Sequence, residues 1–524
     1  MKQAKKIVGI LLALVMVFAL AVPAFAATVT VPSDGILKDH TFTAYQIFSG
    51  REEDGILSDV QWGSGINSDA FLAALKADTT YGSQFTDCTD AAAVAKVLGD
   101  NNTNTALANA VAKLAYANKT GTGTPLTSGE NTLDDGYYLV VDTTENVAAG
   151  SAYNTALLQV VGDINITVKT DAPTVEKKVL EDDKYDQDGG YGQGYNDVAD
   201  YNMGDAVYFH LIGSVPDMSR YDTYKYIFHD TLSAGLTLNE DSIKVYVASD
   251  KAGTDKAEIT GWNNAVNGQS FTVSFTDLKT VSGVSQGKYI IVEYTATLNQ
   301  NAVVGLDGNP NVVYLEYSNK PDQSGSGDNN TGNTPEDKVI VFTYELDTTK
   351  VDGQDNTKKL EGAEFKLHNA DNKWAIVDTN NKVTGWADTE EDGSALTSDA
   401  NGLFKVIGLD DGTYYLKETK APTGYNLLSS KITVVITATT TNGQTWTDGL
   451  ASSALTKLEV TADGTAGTGD TSTGIAGITV ANNKGSTLPE TGGVGTPIFY
   501  IAGGVLAVAA AILLVTKKRM SKQG

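Results

Sequence analysis

The chain has 524 residues, with 38 Lys and Arg against 64 Asp and Glu, so its formal net charge is −26. This acidity argues against binding to nucleic acid or to an anionic membrane surface, because both attract basic patches. Hydrophobic residues make up 41% of the chain, which is enough for packed cores and excludes wholesale disorder, and the length favours about three domains.

The N-terminal end predicts a secretory signal peptide over residues 1–26. Three lysines precede an apolar stretch from Ile7 to Val22, and the sequence AFA at 24–26 has the small-x-small pattern of a cleavage site. A membrane anchor is the alternative, but the stretch is short and ends in a cleavage pattern. We therefore expect an exported protein.

Residues 27–172 predict a β-sandwich that carries a small helical insertion. Short alternating runs rich in β-branched and aromatic residues indicate strands. Three Ala/Leu-rich segments have helical periodicity instead, at Ser68–Lys76, Ala91–Leu98 and Thr105–Ala117.

The single cysteine, Cys88, excludes an intrachain disulfide, so any covalent reinforcement must use other chemistry. A free or buried thiol is the preferred interpretation, with a thioester or an intermolecular disulfide as alternatives. Four histidines and the absence of HExxH or paired cysteines argue against a zinc enzyme. We expect no enzyme, no cofactor and no metal site.

Residues 173–345 predict a second domain made of strands. Its acidic loop at 181–197 contains Asp186-x-Asp188-Gly189, which faintly resembles a calcium loop but lacks the final carboxylate. A solvated loop is the preferred interpretation. The low-complexity segment 321–338 predicts a loop or linker.

Residues 346–486 predict a third domain, in which "YYLKETKAPTGY" reads as a strand entering a turn. Alternation places Tyr414, Leu416 and Glu418 on one face. If that face is the core, Glu418 is costly unless it is paired, hydrogen-bonded or protonated. The same alternation turns Lys350 inward at the start of the domain and Asn482 inward at its end, with Asn483 as an alternative of the wrong parity.

The C-terminal end predicts a membrane span over 497–516, followed by a basic tail at 517–524. Without the basic residues of the two ends, 31 Lys and Arg face 64 acids, a net charge of −33 for the exported part.

The span follows an LPETG sequence, and this combination resembles the cell-wall sorting signal of Gram-positive surface proteins. The resemblance implies that a sortase cysteine attacks the Thr491 carbonyl, releases the part that begins at Gly492, and passes the chain to an amine on peptidoglycan or another subunit. The implied recognition residues are Leu488, Pro489, Glu490, Thr491 and Gly492.

"YYLKETKAPTGY" resembles the E-box of pilins and Cna-B type domains. In that family a glutamate promotes an intramolecular isopeptide bond between a lysine and an asparagine. The resemblance implies a Lys350–Asn482 bond promoted by Glu418. Burial lowers the pKa of a lysine and raises that of a carboxyl, which favours a neutral amine nucleophile beside a protonated acid.

The second domain resembles the isopeptide-forming middle domain of fimbrial shaft pilins, where the acid is typically aspartate. The implied residues are Lys177, Asn319 and Asp230. Lys178 is the second candidate for the nucleophile, although strand alternation places its side chain outward. Asp230, taken alone, could be a helix or turn cap. The first domain shows no comparable triad.

The whole chain resembles the major (backbone) pilin of Gram-positive sortase-assembled pili. This implies a covalent polymer of identical subunits, accessory pilins, attachment to peptidoglycan in the cell wall, and a host surface ligand as a further possibility. The usual YPK-type motif that supplies the acceptor lysine is absent, which leaves Lys169 and Lys178 as candidates. The alternative function is a wall-anchored adhesin or minor pilin that does not polymerise.

Overall fold

The computed structural model describes residues 27–33, 37, 40–166, 172–181, 194–321, 330–441, 454–485 and 495–520. The predicted signal peptide lies outside these residues. The described strands form six sheets, drawn from three successive stretches of the chain. The expectation of an all-β protein built from tandem sandwiches is therefore confirmed.

The first stretch forms a three-stranded sheet of order β5-β1-β8 and a second sheet of order β3-β2-β6-β7, in which β4 also pairs with β2. Strand β1 pairs antiparallel with β5 and parallel with β8. The strands are β1 (Ala27–Val31), β2 (Phe42–Glu53), β3 (Ile56–Trp62), β4 (Thr124–Leu126), β5 (Gly129–Leu133), β6 (Gly136–Asp142), β7 (Thr155–Val160) and β8 (Ile164–Asn165).

The predicted helical insertion is confirmed between β3 and β4. It contains α1 (Ser68–Ala77), α2 (Gly82–Phe85), α3 (Ala91–Asp100) and α4 (Thr105–Asn118). The side chains of Asn67, Asp90 and Asn104 cap α1, α3 and α4 by accepting a backbone N–H of the first turn. The short α2 was not predicted. Cys88 is buried with the apolar faces of these helices, in agreement with a structural thiol.

The second stretch forms a six-stranded sheet, β10-β9-β12-β18-β14-β15, and a seven-stranded sheet, β11-β21-β19-β13-β17-β16, with β20 paired to β19. The strands are β9 (Val175–Leu180), β10 (Tyr195–Asn196), β11 (Val198–Asp200), β12 (Ala206–Ser214), β13 (Tyr226–Leu232), β14 (Leu236–Ala248), β15 (Ala257–Glu258), β16 (Asn263–Asn267), β17 (Ser270–Phe275), β18 (Tyr289–Leu298), β19 (Asn309–Ser318), β20 (Thr331–Asn333) and β21 (Asp337–Phe342).

The third stretch forms a five-stranded sheet, β23-β22-β34-β33 with β28 on β22, and an eight-stranded sheet, β26-β25-β24-β29-β30-β31-β32 with β27 on β24. The strands are β22 (Tyr344–Asp352), β23 (Asp355–Lys359), β24 (Glu364–Asn369), β25 (Trp374–Val377), β26 (Val383–Ala387), β27 (Leu396–Thr397), β28 (Leu403–Leu409), β29 (Gly412–Lys420), β30 (Ile432–Thr440), β31 (Leu455–Ala462), β32 (Thr465–Ala466), β33 (Thr468–Asp470) and β34 (Ile475–Asn482).

The first and last strands of this third pair of sheets, β22 and β34, are parallel neighbours. Strand β22 begins at Tyr344, two residues before the predicted domain start at 346. The three successive pairs of sheets lie within residues 27–165, 175–342 and 344–482.

Backbone and side-chain hydrogen bonds join the successive pairs of sheets. Between the first and second pairs, the Tyr153 N–H donates to the carbonyl of Asn319 at 2.8 Å, and the Tyr317 hydroxyl donates to the carbonyl of Ser151 at 2.8 Å. Between the second and third, the Asn202 side-chain oxygen accepts from the Asp410 N–H and the Tyr414 hydroxyl.

The C-terminal helix α5 (Gly495–Met520) contains one segment, Phe499–Met520, that is long and apolar enough to cross a membrane, with a mean hydropathy of 2.3. Its last turn carries Lys517, Lys518 and Arg519. The predicted span at 497–516 lies within this helix.

A close backbone contact at the junction of the second and third pairs of sheets leads to the first prediction. Gly305 has φ +81°, and a Cβ there would lie 2.5 Å from the backbone of Thr473 and Gly474. Gly305→Ala should therefore destabilise the protein by about 1–3 kcal/mol, through both left-handed strain and overpacking.

The matched control is Gly261→Ala, where φ is +88° but no atom lies within 4 Å of a built Cβ. Calorimetric melting of both variants should show the larger loss of melting temperature for Gly305→Ala. Equal losses would mean that the junction is not tightly packed at this point.

Candidate functional site

The core of the third pair of sheets holds a lysine, an asparagine and a glutamate in mutual contact. Lys350 lies on β22 and Asn482 on β34, and both are fully buried. Glu418 enters from β29 in the facing sheet and is 4% exposed. The sequence placed all three side chains inward, and the structure has them there. Asn483, the alternative, is exposed.

The contacts order these groups around the Asn482 amide. The Lys350 Nζ donates to Asn482 Oδ1 and, at 3.2 Å, to the carbonyl of Val480. The Asn482 Nδ2 donates to both Glu418 oxygens, at 2.9 and 3.0 Å. Glu418 Oε1 lies 3.8 Å from Lys350 Nζ. An amine, a carboxamide and a carboxyl group are thus held within reach of one another.

Burial sets the ionisation of the lysine. It lowers the pKa of Lys350 to about 8, and the nearby Glu418 carboxylate opposes that shift. A lysine with a pKa near 8 has a substantial neutral fraction at mildly alkaline pH, and the neutral amine is the nucleophilic form. Phe365 lies beneath it, with its ring centroid 5.7 Å from the Nζ.

A second cluster lies in the core between the middle pair of sheets. Lys177 on β9 and Asp230 on β13 are fully buried and form an ion pair. Burial lowers the pKa of Lys177 to about 8 against the opposing effect of Asp230, and burial raises the pKa of Asp230. The two residues predicted from the sequence are therefore brought together.

The third member of this cluster is Asn311, whereas the structure places the predicted Asn319 elsewhere. Asp230 pairs with Val313 across β13 and β19, so Asn311, two residues earlier on β19, lies on the same face beside it. Asn319 lies six residues beyond Val313, about 20 Å along an extended strand. It instead accepts the Tyr153 N–H at the junction with the first pair of sheets.

Tyr294 on β18 completes this second cluster. Its hydroxyl accepts from Lys177 Nζ at 2.9 Å and from Asn311 Nδ2 at 2.7 Å, and it donates to Asp230 Oδ1 at 3.2 Å. The Oδ1 of Asn311 is buried and has no hydrogen-bond partner. An acceptor left without a partner is costly in a finished core.

The sequence could not select Asn311 by parity alone. Residues 311, 313, 315 and 317 of β19 share one face, and Asn319, one residue beyond the end of the strand, continues the same alternation, so both asparagines satisfied it. Tyr294 was not singled out because a tyrosine in a strand is ordinary core. The register that brings β18 and β19 to Lys177 is visible only in the folded structure.

The first pair of sheets has no comparable cluster in its described residues. None of its described lysines is buried, and a buried side-chain contact joins His40 Nδ1 to Asp142 Oδ2 at 2.7 Å.

Of the two candidate acceptor lysines, the structure describes Lys178 and leaves Lys169 outside the described residues. Lys178 faces away from the core, as predicted, and its Nζ forms an ion pair with the buried Asp197. It lines a groove of about 550 Å³ between the first and second pairs of sheets, together with Gly150, Pro173 and Pro335. Its side chain is 16% exposed.

Other predicted features lie outside the described residues: the loop with Asp186 and Asp188, and the motif residues Leu488, Pro489, Glu490, Thr491 and Gly492. Within the described part of the chain, one group of carboxylates could hold a metal ion. Asp200, Asp410 and Asp411 each place an oxygen within 4.8 Å of the others, where the second and third pairs of sheets meet. The sequence did not single out this group.

Comparison with known proteins places this architecture among anchored surface proteins. Residues 345–449 match the SpaA family, a prealbumin-like fold domain, and residues 480–522 match the LPXTG cell wall anchor motif. The first match begins at the second residue of β22. The second supports a cell-wall-anchored surface protein with a transient membrane tether.

Individual relatives agree with this class. The trypsin-resistant surface T6 protein of Streptococcus pyogenes is 28% identical over 243 residues, which are 43% of this chain and 40% of that protein. The chain thus matches less than half the length of this curated relative.

The solved structure of the T6 backbone pilin of serotype M6 Streptococcus pyogenes, described as a modular three-domain structure, has a TM-score of 0.51 and 19% identity. The match covers 89% of this chain and 100% of the T6 chain. At this identity, the likeness shows that the two chains share a fold. The group B streptococcus pilus 2b backbone protein is 26% identical, with 55% and 97% coverage and a TM-score of 0.41. The domain match, the anchor match and the T6 similarity together make this chain similar to anchored Gram-positive surface proteins.

Burial of the two lysines leads to the second prediction. The side chains of Lys177 and Lys350 are fully buried, whereas that of Lys96 is 75% exposed. A brief pulse of an amine-reactive label on the folded protein should modify Lys96 and spare both buried lysines by at least about tenfold, because a free amine at either site needs local opening and an amide-linked nitrogen does not react. Peptide mass spectrometry reads the result. Comparable labelling of all three would contradict the packing described.

Proposed function

We propose that the chain is the structural subunit of a covalently polymerised surface pilus, anchored to peptidoglycan by a sortase and reinforced by two intramolecular isopeptide bonds. The observation that carries the proposal is the pair of buried lysine clusters. In the third domain the Asn482 amide contacts both Lys350 and Glu418. In the second domain Lys177 pairs with Asp230, and the Tyr294 hydroxyl links both groups to the Asn311 amide. The LPXTG match and the apolar helix α5 support the anchoring.

The bond in the third domain joins Lys350 to Asn482. The neutral amine attacks the Asn482 Cγ, while the Glu418 carboxyl hydrogen-bonds the amide and moves protons between the entering and leaving nitrogens. The C–N bond to Nδ2 breaks and ammonia leaves. The fold supplies proximity, which is worth an effective molarity on the order of 10⁵ M or more. Each molecule reacts once, so this is self-modification and not turnover.

The bond in the second domain joins Lys177 to Asn311, with Asp230 as the acid. It replaces the Lys177–Asn319 bond expected from the sequence. The orphaned Asn311 Oδ1 supports this choice, because it is the carboxamide oxygen that gains charge during attack. The bond would join β9 in one sheet to β19 in the other.

Polymerisation requires an acceptor amine for the Thr491 acyl group. Lys178 and Lys169 remain the two candidates. The groove beside Lys178 supports Lys178 as the acceptor, because an incoming LPETG segment could bind there.

The third prediction concerns the bond in the third domain. The wild-type full chain should be lighter than its sequence mass by two ammonia, and Glu418→Ala should be lighter by one, because Asp230 still serves the second domain. Intact-mass spectrometry of the purified proteins measures this.

The matched control is Glu364→Ala on the neighbouring strand β24, whose carboxylate pairs at the surface with Lys420. This variant should still be lighter than its sequence mass by two ammonia. A wild-type mass equal to the sequence mass, or a loss of two ammonia in Glu418→Ala, would refute the role assigned to Glu418.

The fourth prediction concerns polymerisation. Cell-wall extracts boiled in SDS and probed with antibody should give a ladder of high-mass bands for the wild type. Replacing the acceptor by arginine should abolish the ladder because the primary amine nucleophile is lost while the positive charge is kept. The single variants Lys178→Arg and Lys169→Arg identify which lysine is used. One wall-linked band from the wild type would instead support an anchored adhesin that does not polymerise.

A further inference from the structure

The Tyr294 hydroxyl contacts every reacting group of the second-domain cluster. It lies 2.9 Å from Lys177 Nζ, 2.7 Å from Asn311 Nδ2 and 3.2 Å from Asp230 Oδ1. These are hydrogen-bond distances to the entering nitrogen, the leaving nitrogen and the acid, respectively. A tyrosine that only filled space would not need to meet all three.

Among the described residues, no tyrosine hydroxyl bonds to the side chains of Lys350, Asn482 or Glu418, and the acid reaches the amide directly. Both Glu418 oxygens accept from Asn482 Nδ2. Aspartate is one methylene shorter than glutamate, and no hydrogen bond joins Asp230 to Asn311, both of which are described. In the second domain the Tyr294 hydroxyl occupies the position between the carboxyl and the amide nitrogen.

We infer that Tyr294 is a catalytic residue of the second-domain bond and relays a proton from Asp230 to the leaving nitrogen of Asn311. This inference rests on the proposed Lys177–Asn311 bond. The shorter acid and the bridging phenol together do what Glu418 does alone in the third domain.

The relay balances in atoms and charge. Lys177 Nζ attacks Asn311 Cγ and gives a proton to the Asp230 carboxylate. Asp230 returns a proton to the Tyr294 oxygen while the Tyr294 hydroxyl proton moves to Nδ2. The Cγ–Nδ2 bond then breaks, ammonia leaves, and an amide joins Lys177 to Asn311. The phenol and the carboxylate end as they began, so no further reactant is needed.

The surroundings fix the phenol for this role. The Tyr294 ring stacks on Phe209, with ring centroids 5.2 Å apart, and meets the edge of Phe271 at 4.9 Å. Tyr294 is 2% exposed. Burial, with Asp230 nearby, raises the pKa of Tyr294 well above its usual value, so the hydroxyl stays protonated and able to donate.

The test follows bond formation over time in the full chain, made by cell-free translation in detergent. Protease digestion and mass spectrometry quantify the Lys177–Asn311 and Lys350–Asn482 crosslinked peptides separately. Tyr294→Phe should slow the second-domain bond by at least about tenfold, since general acid–base catalysis contributes on the order of 10²-fold or more. The third-domain bond should form at the wild-type rate.

The matched control is Tyr226→Phe. Tyr226 is equally buried in the same core, but its hydroxyl donates to the backbone carbonyl of Ser214. It should leave both bonds unchanged. A wild-type rate in Tyr294→Phe would overturn the inference while the bond itself stands. Absence of the second-domain crosslink from the wild type would instead refute the proposed Lys177–Asn311 bond, on which the inference rests.

A second variant covers the case in which Tyr294→Phe does not fold. Site-specific 3,5-difluorotyrosine at position 294 keeps the ring and hydroxyl but makes the phenol more acidic. A relay predicts a change of at least about threefold in the rate of the second-domain bond and a shift in its pH profile. An unchanged rate and profile would show that the hydroxyl is only structural.

Discussion

The rest of the structure depends on two lysine amines held inside apolar cores. An isolated buried ammonium is strongly unfavourable, and a buried ion pair recovers that cost only with good geometry and added hydrogen bonds. The fold meets this condition twice, with Glu418 beside Lys350 and with Asp230 and Tyr294 beside Lys177. A covalent amide removes the problem, because it replaces the buried charges with a neutral group.

The two proposed bonds would reinforce their domains in different ways. In the third domain Lys350 and Asn482 lie on parallel neighbours, the first and last strands of one sheet. A bond there would stop the domain from opening at its ends under tension. In the second domain the cluster spans the two sheets, so a bond would tie the sandwich through its core. The described part of the first domain has no such cluster and relies on packing and on its helices.

The strands and the inward-facing side chains of the third-domain cluster could be predicted from the sequence, because buried and exposed residues alternate along a strand. Buried and exposed positions alternate as expected along β22 and β29, which placed Lys350 and Glu418 correctly. Helix periodicity located α1, α3 and α4. Strand alternation could not distinguish Asn311 from Asn319, because both fall on the same side of the chain. The choice depends on which residue of β19 lies opposite Asp230, and that is a matter of strand register. Tyr294 was missed for the same reason, because its role comes from register between distant strands.

The most direct measurement is tandem mass spectrometry of the wild-type protein after protease digestion. The account predicts two branched peptides, one joining Lys177 to Asn311 and one joining Lys350 to Asn482, each lighter by one ammonia than its two linear parts. Recovery of unmodified linear peptides containing Lys177 and Lys350 in full yield would contradict it.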